Sequence, residues 1–190
     1  MTKELHKVKA ELKLFGIDSF FPEVTESMQF KRWNVKISPY TCIECLGKHM
    51  KIISVLEIDA PPIHHNCHCV LLTIYKITVG TATIDGLFGA DAWIKNYSEL
   101  PNKYISKDDA KKKGWRPNLG NLQEVINNAV IGGEVYYNKK GTLPSKEGRI
   151  WYEADVNYTG GYRNMHRIVY SNDGLMFVTY DHYDSFYEVK

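Results

Sequence analysis

The chain has 190 residues, a formal net charge of +2, and 44% hydrophobic and 24% charged residues. This length and apolar content allow one or two folded domains and exclude a generally disordered chain. The longest apolar runs, Cys69–Tyr75 and Ile52–Leu56, are too short to span a membrane. Residues 1–10 lack the apolar core of a secretory signal, so any export is expected to use another route. Because the charges nearly balance, binding of a polyanion would depend on local placement of cations.

The N-terminal segment, residues 2–15, is predicted to form an amphipathic helix that stops at Gly16. Its apolar stripe at helical spacing consists of Leu5, Val8, Leu12 and Phe15. The lysine-rich opposite face is interpreted as solvated surface, because charged helix faces are usually exposed.

All four cysteines fall between residues 42 and 69, in a CxxC pair followed by a second Cys/His cluster. Thiolate and imidazole are the ligands that tetrahedral Zn²⁺ prefers, so the spacing predicts a structural zinc site. The candidate ligands are Cys42, Cys45, Cys67 and either His64 or Cys69. The alternatives are two disulfides or four free thiols.

The same segment resembles the cysteine-containing tail of phage head-morphogenesis proteins of the Mu F type. The resemblance is carried by Thr41-Cys-Ile-Glu-Cys45 and Pro61-Pro-Ile-His-His-Asn-Cys-His-Cys69, in which His68 stands where family members usually have arginine. It implies a module for delivery or assembly rather than a catalyst.

Residues 76–86 are rich in Gly and Thr and are interpreted as a junction between an N-terminal module, 1–80, and a C-terminal domain, 81–190. Helices are predicted over 87–97, from Ser106 as N-cap to Lys113, and over 122–128. Strands are predicted near 131–137, 149–156, 167–170, 175–180 and 185–189. Helices followed by antiparallel strands indicate an α+β fold.

The strand over 149–156 and the segments after it carry an unusual set of charges. Alternation places Glu153 on one face, and Arg163 and Arg167 follow within a short stretch. A carboxylate near two guanidiniums suggests a phosphate site. His182, after a later strand, adds a histidine that could serve as an acid beside it. The opposing interpretation is a structural ion pair, which is the role we expect for Asp155 with Arg163 or Arg167.

Residues from about Asp91 to Lys190 resemble the barnase-type microbial ribonucleases. The motifs that carry the resemblance are Leu100-Pro-Asn-Lys-Tyr-Ile-Ser-Lys107, Ile131-Gly-Gly133, Trp151-x-Glu-Ala-Asp-x-Asn-Tyr-Thr159, Gly161-x-Arg-Asn164, Arg167-Ile168 and Asp181-His-Tyr183. The resemblance implies three N-terminal helices packed on a five-stranded antiparallel sheet. It also implies cleavage of single-stranded RNA by transphosphorylation to a 2′,3′-cyclic phosphate, with no cofactor for catalysis.

The resemblance also implies roles for individual residues. Glu153 is the general base that takes the 2′-OH proton, and His182 is the general acid that protonates the departing 5′-oxygen. The residues implied in phosphate binding are Lys107, Arg163, Arg167 and Tyr183. These roles suit the chemistry, because a base and an acid must flank the phosphorus and cations must offset the charge on its oxygens.

Base recognition is implied for Tyr136, Asn138, Lys139 and Lys140. In the family, the loop that corresponds to residues 137–141 ends in a glutamate, which accepts the N1 and N2 hydrogens of guanine. Lys140 occupies the place of that glutamate here. A lysine side chain has donors and no acceptor. We therefore predict weakened or relaxed base selectivity.

The leading hypothesis is a secreted or delivered ribonuclease toxin that acts in the cytoplasm of a target cell. A monomeric catalytic domain and an acidic immunity protein of the barstar type are expected with it. One alternative is a non-catalytic RNA-binding or phage-head structural protein. Another is a nuclease that uses a metal in the Cys/His cluster, which suits a closed structural site better than an open catalytic one.

Overall fold

In a computed structural model, the described residues are 3–14, 24–56 and 61–190. Spatial contacts group the chain into two compact units. The first, here called the sheet unit, comprises residues 1–25, 76–137 and 150–190. The second, the cysteine unit, comprises residues 26–75 and 138–149. The division at residue 80 stays a prediction about sequence modules, whereas the spatial grouping places the distant segment 138–149 with the cysteines.

The described residues form short helices and many strands. The α-helices are α1 (Lys3–Leu14), α2 (Ile43–Lys48), α3 (Ala90–Tyr97), α4 (Lys107–Lys112) and α5 (Leu122–Val125). The strands are β1 (Val24–Val35), β2 (Ile52–Ser54), β3 (Cys69–Ile77), β4 (Tyr104–Ile105), β5 (Val130–Tyr136), β6 (Trp151–Asp155), β7 (Arg167–Ser171), β8 (Met176–Thr179) and β9 (Tyr187–Val189). None of the helices in these segments is long and apolar enough to cross a membrane.

The predicted helices are present with altered ends. The first contains buried Val8 and Leu12, while Phe15 and Gly16 lie outside the described residues. The helix predicted over 87–97, α3, begins at Ala90, because residues 86–88 form a 3-10 turn that leaves Leu87 76% exposed. The predicted helix 122–128 ends at Val125, because Ile126 has an extended backbone.

The N-cap of α4 is confirmed. Ser106 has an extended backbone, and its Oγ accepts a hydrogen bond from the N–H of Asp109 at 3.1 Å. This bond satisfies one of the N–H groups that a helix start leaves without an intrahelical partner. It fixes the first turn of α4, and therefore the position of Lys107.

The sheet unit contains the five predicted antiparallel strands, β5 to β9, each paired with the next. The expectation of a purely antiparallel sheet was wrong, because parallel pairs extend it at both edges. β4 pairs with β5, and Lys76 and Ile77 at the end of β3 pair with β9. Parallel partners come from distant chain segments rather than from hairpins, so no local turn signal announces them.

One hydrophobic cluster joins α4 and α5 to β5. Its buried members are Ala110, Trp115, Leu122, Ala129 and Ile131. Close approach in the neighbouring strands requires Gly132, since a Cβ there would lie 2.6 Å from both Ala154 Cβ and Tyr104 Cδ1. This packing holds the start of α4 beside β5, the strand next to β6.

A buried carboxylate in α3 binds the backbone of the predicted junction, residues 76–86. Asp91 in α3 is fully buried and accepts hydrogen bonds from the N–H groups of Gly80 and Ala82 at 2.7 and 3.2 Å. Burial raises the pKa of Asp91, although these N–H donors act in the opposite direction. The carboxyl group therefore ties the predicted junction to α3.

In the cysteine unit, β2 pairs antiparallel with β1, with Ile52 opposite Arg32. Buried Trp33, Val35, Cys45 and Cys69 form its core. Sequence analysis did not predict β1. Val24, Ser27, Phe30 and Trp33 are buried at every third position, and only after Trp33 does a buried residue, Val35, follow at a spacing of two, so most of the strand lacks the usual period.

Candidate active site

Glu153 lies in the middle of β6, between β5 and β7, and 14% of its side chain is exposed. Lys107 Nζ donates to its Oε1 at 3.0 Å, and the Tyr183 hydroxyl donates to its Oε2 at 2.6 Å. Each carboxylate oxygen therefore has a donor from a different element. Three residues far apart in the sequence meet at this carboxylate.

The pKa of Glu153 is lowered from its ordinary value. Burial is the largest single influence and acts to raise it, but the hydrogen bonds from Tyr183 and Lys107 and the charges of Lys107 and Arg167 together outweigh burial. The side chain is therefore ionised at neutral pH, as a general base must be. Tyr183 and Lys107 make the direct contacts with the carboxylate, whereas Arg167 acts on it through its charge.

Asp155, 1% exposed, binds both arginines. Arg163 donates through Nε and NH2 to the two carboxylate oxygens at 2.6 and 2.7 Å, and Arg167 Nε lies 2.9 Å from Oδ1. The predicted structural role of Asp155 is confirmed, with both partners rather than one. A two-point Arg–carboxylate contact fixes the direction of the guanidinium as well as its distance.

The two arginines differ in what they offer a ligand. The Arg163 side chain is 26% exposed, so it has an open side. The Arg167 side chain is 4% exposed and donates through NH1 to the carbonyl oxygens of Asn164 and His166, each at 2.7 Å. Arg163 is thus placed for direct contact with an anion, while Arg167 contributes its charge from a buried position.

His182 is exposed and lies in the turn after β8. Its ring centroid is 4.7 Å from that of Tyr183, the residue that donates to Glu153. Both residues have left-handed backbones, with φ of 58° and 76°. Such conformations are uncommon for residues other than glycine and concentrate at functional sites.

Asp181 holds this turn in place. Its Oδ1 accepts hydrogen bonds from Thr179 Oγ1 at 2.8 Å and from the N–H groups of Asp184 and Ser185 at 3.1 and 2.9 Å, and its Oδ2 accepts one from Ser185 Oγ at 2.6 Å. The N–H of Tyr183 donates to Thr179 Oγ1 at 2.9 Å. One carboxylate therefore fixes the backbone on both sides of His182 and Tyr183.

Glu134 is part of the site and was missed by the sequence analysis. Its Oε1 accepts a hydrogen bond from the Lys107 N–H at 2.6 Å, and it pairs with Glu153 across β5 and β6. Tyr136, two residues further on, stacks on Tyr183 with ring centroids 5.2 Å apart. Residues two apart in a strand share a face. Because Tyr136 was predicted to lie at the site, Glu134 could have been predicted there from its position two residues earlier in the same strand.

The other predicted base-recognition residues, Asn138, Lys139 and Lys140, follow β5 in the chain and belong to the cysteine unit. Asn138 has a left-handed backbone, and its side chain bonds to both the N–H and the carbonyl of Leu143. Its side-chain amide therefore closes the loop. Both lysines are exposed.

The predicted metal ligands also meet in the structure. His64 Nε2 lies 3.1 Å from Cys42 Sγ and 3.0 Å from Cys45 Sγ, and Cys45 Sγ lies 3.9 Å from Cys67 Sγ and 3.2 Å from Cys69 Sγ. All four thiols are free, since a disulfide needs about 2.05 Å between its sulfurs. The cluster consists of two three-residue groups that share Cys45, and such a group could hold a metal ion.

Backbone geometry prepares one of these thiols for a cation. Cys42 is the N-cap of α2, and its Sγ accepts a hydrogen bond from the Cys45 N–H at 3.3 Å. That N–H lowers the pKa of Cys42, which favours the thiolate form that metals bind.

Known proteins match the part of the chain that contains the Glu153 site. The family model for ribonuclease matches residues 90–190. A ribonuclease of Heyndrickxia coagulans is 44% identical over 109 residues, which cover 57% of this chain and 100% of that protein. Ribonucleases of Bacillus intermedius and Bacillus pumilus are likewise 44% identical over 109 residues, or 57% of this chain and 67% of each relative.

The chain therefore belongs to the ribonuclease family. More narrowly, it is a barnase-like endoribonuclease, which confirms the prediction of an enzyme of this type. An RNA substrate fits this assignment. The resemblance of the cysteine segment to Mu F-type proteins stays a prediction.

The Tyr183→Phe variant tests the contact that helps to ionise Glu153. Removing the hydroxyl donor is expected to raise the pKa of Glu153, so a smaller fraction carries the reactive charge at acidic pH. The acid limb of the pH profile of kcat/KM should then move to higher pH. Tyr97→Phe, at a 63% exposed side chain in α3, is the matched control and should leave the limb in place. An unchanged limb for Tyr183→Phe would contradict the assignment.

Proposed function

We propose that the enzyme cleaves single-stranded RNA by transphosphorylation without a metal ion. Glu153 takes the proton of the 2′-OH, and the freed oxygen attacks the adjacent phosphorus. Protonated His182 gives its proton to the departing 5′-oxygen, so the products are a 2′,3′-cyclic phosphate and a 5′-OH. The observation that carries the proposal is the ionised Glu153 carboxylate held between Lys107 and Tyr183.

Cations around the site support this chemistry. Negative charge on the non-bridging phosphate oxygens is stabilised by groups already fixed in position. Arg163 is fixed by Asp155, and Lys107 by the capped start of α4. On substrate binding, the Lys107 ammonium can exchange its contact with Glu153 for one with the phosphate, which leaves the carboxylate free to accept a proton.

The metal-free mechanism is tested with an oligonucleotide that has one ribonucleotide linkage. In EDTA the enzyme is expected to continue to cleave this linkage and to leave a cyclic phosphate end, identified by mass spectrometry. Activity abolished in EDTA and restored by Zn²⁺ would support the metal-dependent alternative instead. RNA binding without any cleavage would support the non-catalytic alternative.

Base selectivity is proposed to be relaxed, because Lys140 offers only hydrogen-bond donors. Values of kcat/KM for GpN, ApN and UpN dinucleotides are expected to be similar, and a strong preference for GpN would contradict this. The Lys140→Glu variant should shift preference toward GpN by about tenfold, the typical effect of a hydrogen bond to a charged group. Lys146→Glu, the same charge change at another exposed lysine of the segment 138–149, is the matched control.

The Cys/His cluster is proposed to bind one structural Zn²⁺ ion. Support comes from the five soft or borderline ligands that meet there and from the burial of Cys45 and Cys69, which suits a closed site. Elemental analysis of the purified chain should give one zinc per chain. The Cys45→Ser variant should lose it, whereas His65→Ala, outside both ligand groups, should keep it. A metal-free native chain, or disulfides found by mass spectrometry, would refute the site.

In biological terms, we propose a toxin delivered into the cytoplasm of a target cell, with a monomeric catalytic domain. The cations at the site suit an acidic immunity protein as partner, because complementary charge steers such complexes. Support for delivery comes from the predicted Mu F-like module. Expression in a bacterial cytoplasm is expected to stop growth for the wild type and not for Glu153→Ala. Equal growth of both strains would oppose a toxin role.

A further inference from the structure

The segment 138–149, here called the base loop, is held by the cysteine unit. The N–H of Ile52 in β2 donates to the carbonyl of Thr142 at 2.7 Å. A Cβ at Gly141 would lie 3.3 Å from Lys51 Cε, so the two segments also touch beside that bond. Thr142 and Leu143 are buried, at 9% and 1% exposure. The loop is thus anchored in its middle rather than only at its ends.

This anchor fixes the residues proposed to read the base. Leu143 follows Thr142 directly, and its N–H and carbonyl both bond to the side chain of Asn138, at 3.1 and 2.8 Å. The N–H of Gly141 bonds to the Asn138 carbonyl at 2.7 Å. The conformation of Asn138, Lys139 and Lys140 therefore depends on where Thr142 and Leu143 are held.

A continuous set of bonds leads from the metal ligands to Ile52. Helix α2 begins at the Cys42 cap and contains Cys45. After it, Lys51 N–H bonds to Lys48 O at 3.1 Å, and Trp33 N–H bonds to Lys51 O at 2.8 Å. Trp33 also packs with Cys45 in the core of the unit. An ion that fixes α2 consequently fixes the start of β2.

The contact between Ile52 and Thr142 joins a residue outside the ribonuclease family match to one inside it. That match covers residues 90–190, so it includes the base loop and excludes Lys51 and Ile52, which contact the loop. A segment outside the ribonuclease family thus contacts a loop that lies inside it. Glu153 and His182 belong to the other unit.

We propose that a zinc ion bound by the Cys/His cluster holds the base loop through Ile52 and thereby sets the base preference of the enzyme. The inference rests on the proposed zinc site and on the proposed role of Asn138–Lys140. The ion does not take part in cleavage. Removing it loosens α2 and β2, frees Thr142 and changes the relative rates on different bases.

Hydrogen exchange on the full chain tests the structural half. With zinc removed by a chelator, amides of Ile52 and Leu143 are expected to exchange about tenfold faster, because local opening becomes easier. Peptides from β6 and β7 should be unchanged and serve as the internal control. Unchanged protection of the base loop, with zinc loss verified by elemental analysis, would overturn the proposal.

Dinucleotide kinetics test the functional half. The ratio of kcat/KM between GpN and ApN is expected to be near one with zinc bound and to change by about tenfold on zinc removal, the effect of a hydrogen bond gained or lost at the base. Ile52→Pro removes the N–H donor and should reproduce this change in the presence of zinc. Ile52→Val keeps the donor and should not. A ratio that stays constant in both the zinc-free enzyme and Ile52→Pro would overturn the proposal.

Failure of the proposed ribonuclease activity and failure of the zinc effect on the base loop give different results. If the zinc-loaded wild type cleaves no RNA, the proposed function itself fails. If it cleaves RNA and both the ratio and the exchange are independent of zinc, only this inference fails. If Ile52→Pro does not fold, comparison of the zinc-loaded and zinc-free wild type still decides.

Discussion

Replacing His182 with alanine is expected to lower kcat/KM for RNA cleavage by about 10²–10⁴-fold, the usual contribution of general acid or base catalysis. Glu153→Ala should fall in the same range, because it removes the other proton-transfer group. His182 is exposed, so its loss leaves the core intact. The rate should therefore fall while the free energy of unfolding of His182→Ala stays near that of the wild type.

Two surface replacements serve as matched controls for this experiment. His65→Ala and Glu124→Ala remove the same side-chain types at exposed positions, His65 in the cysteine unit and Glu124 in α5. Both should retain wild-type rates when all variants are assayed in EDTA. The chelator removes any metal ion from the Cys/His cluster of every variant, so the rates differ only through the substitutions. A loss of less than about tenfold for His182→Ala or Glu153→Ala would contradict the proposed roles.

The Asp155→Ala variant is expected to lose about 3–5 kcal/mol of unfolding free energy, the typical result of removing one partner from a buried ion pair. The Asp155 and Arg167 side chains are 2% and 4% exposed, so water cannot replace the missing carboxylate. Urea denaturation at fixed pH and salt measures the loss. The two arginines are then held without their shared acceptor, and RNA cleavage should fall as well.

An exposed ion pair provides the comparison. Asp108 lies 3.7 Å from Lys111, and its side chain is 84% exposed. Asp108→Ala should change the unfolding free energy by no more than about 0.5 kcal/mol, because solvent already screens the pair. If Asp155→Ala cost as little as Asp108→Ala, the buried pair would not be a main support of the fold.

The sequence predicted those parts of the fold that local rules govern. Alternation over 149–156 identified β6, and Ser106 with acidic residues after it identified the start of α4. The edges of the sheet were missed, because β4 and the end of β3 pair with strands that no short turn connects to them. β1 was missed because most of its buried residues are spaced by three rather than by two.

In the candidate site, too, the features set by local sequence were predicted and those set by distant contacts were not. The charge pattern of Glu153, Arg163 and Arg167 is visible in one short stretch, and the Asp155 pairing followed from it. That Lys107 and Tyr183 contact Glu153 directly depends on strand and helix packing over 46 and 30 residues of sequence separation. The bond between Ile52 and Thr142 joins backbone atoms, so no side-chain pattern encodes it.

The left-handed turn at His182 and Tyr183 has a consequence for how this enzyme can change over time. Each such residue typically costs about 1–3 kcal/mol of folding free energy, and here two stand side by side. Glycine at either position would relieve that strain but would also delete an imidazole or a phenol of the site. Selection for a more durable protein and selection for a faster one therefore oppose each other at these two positions. The cost of the turn is offset by the hydrogen bonds of Thr179 and Asp181, so these two residues are expected to tolerate replacement poorly although neither supplies a proton-transfer group.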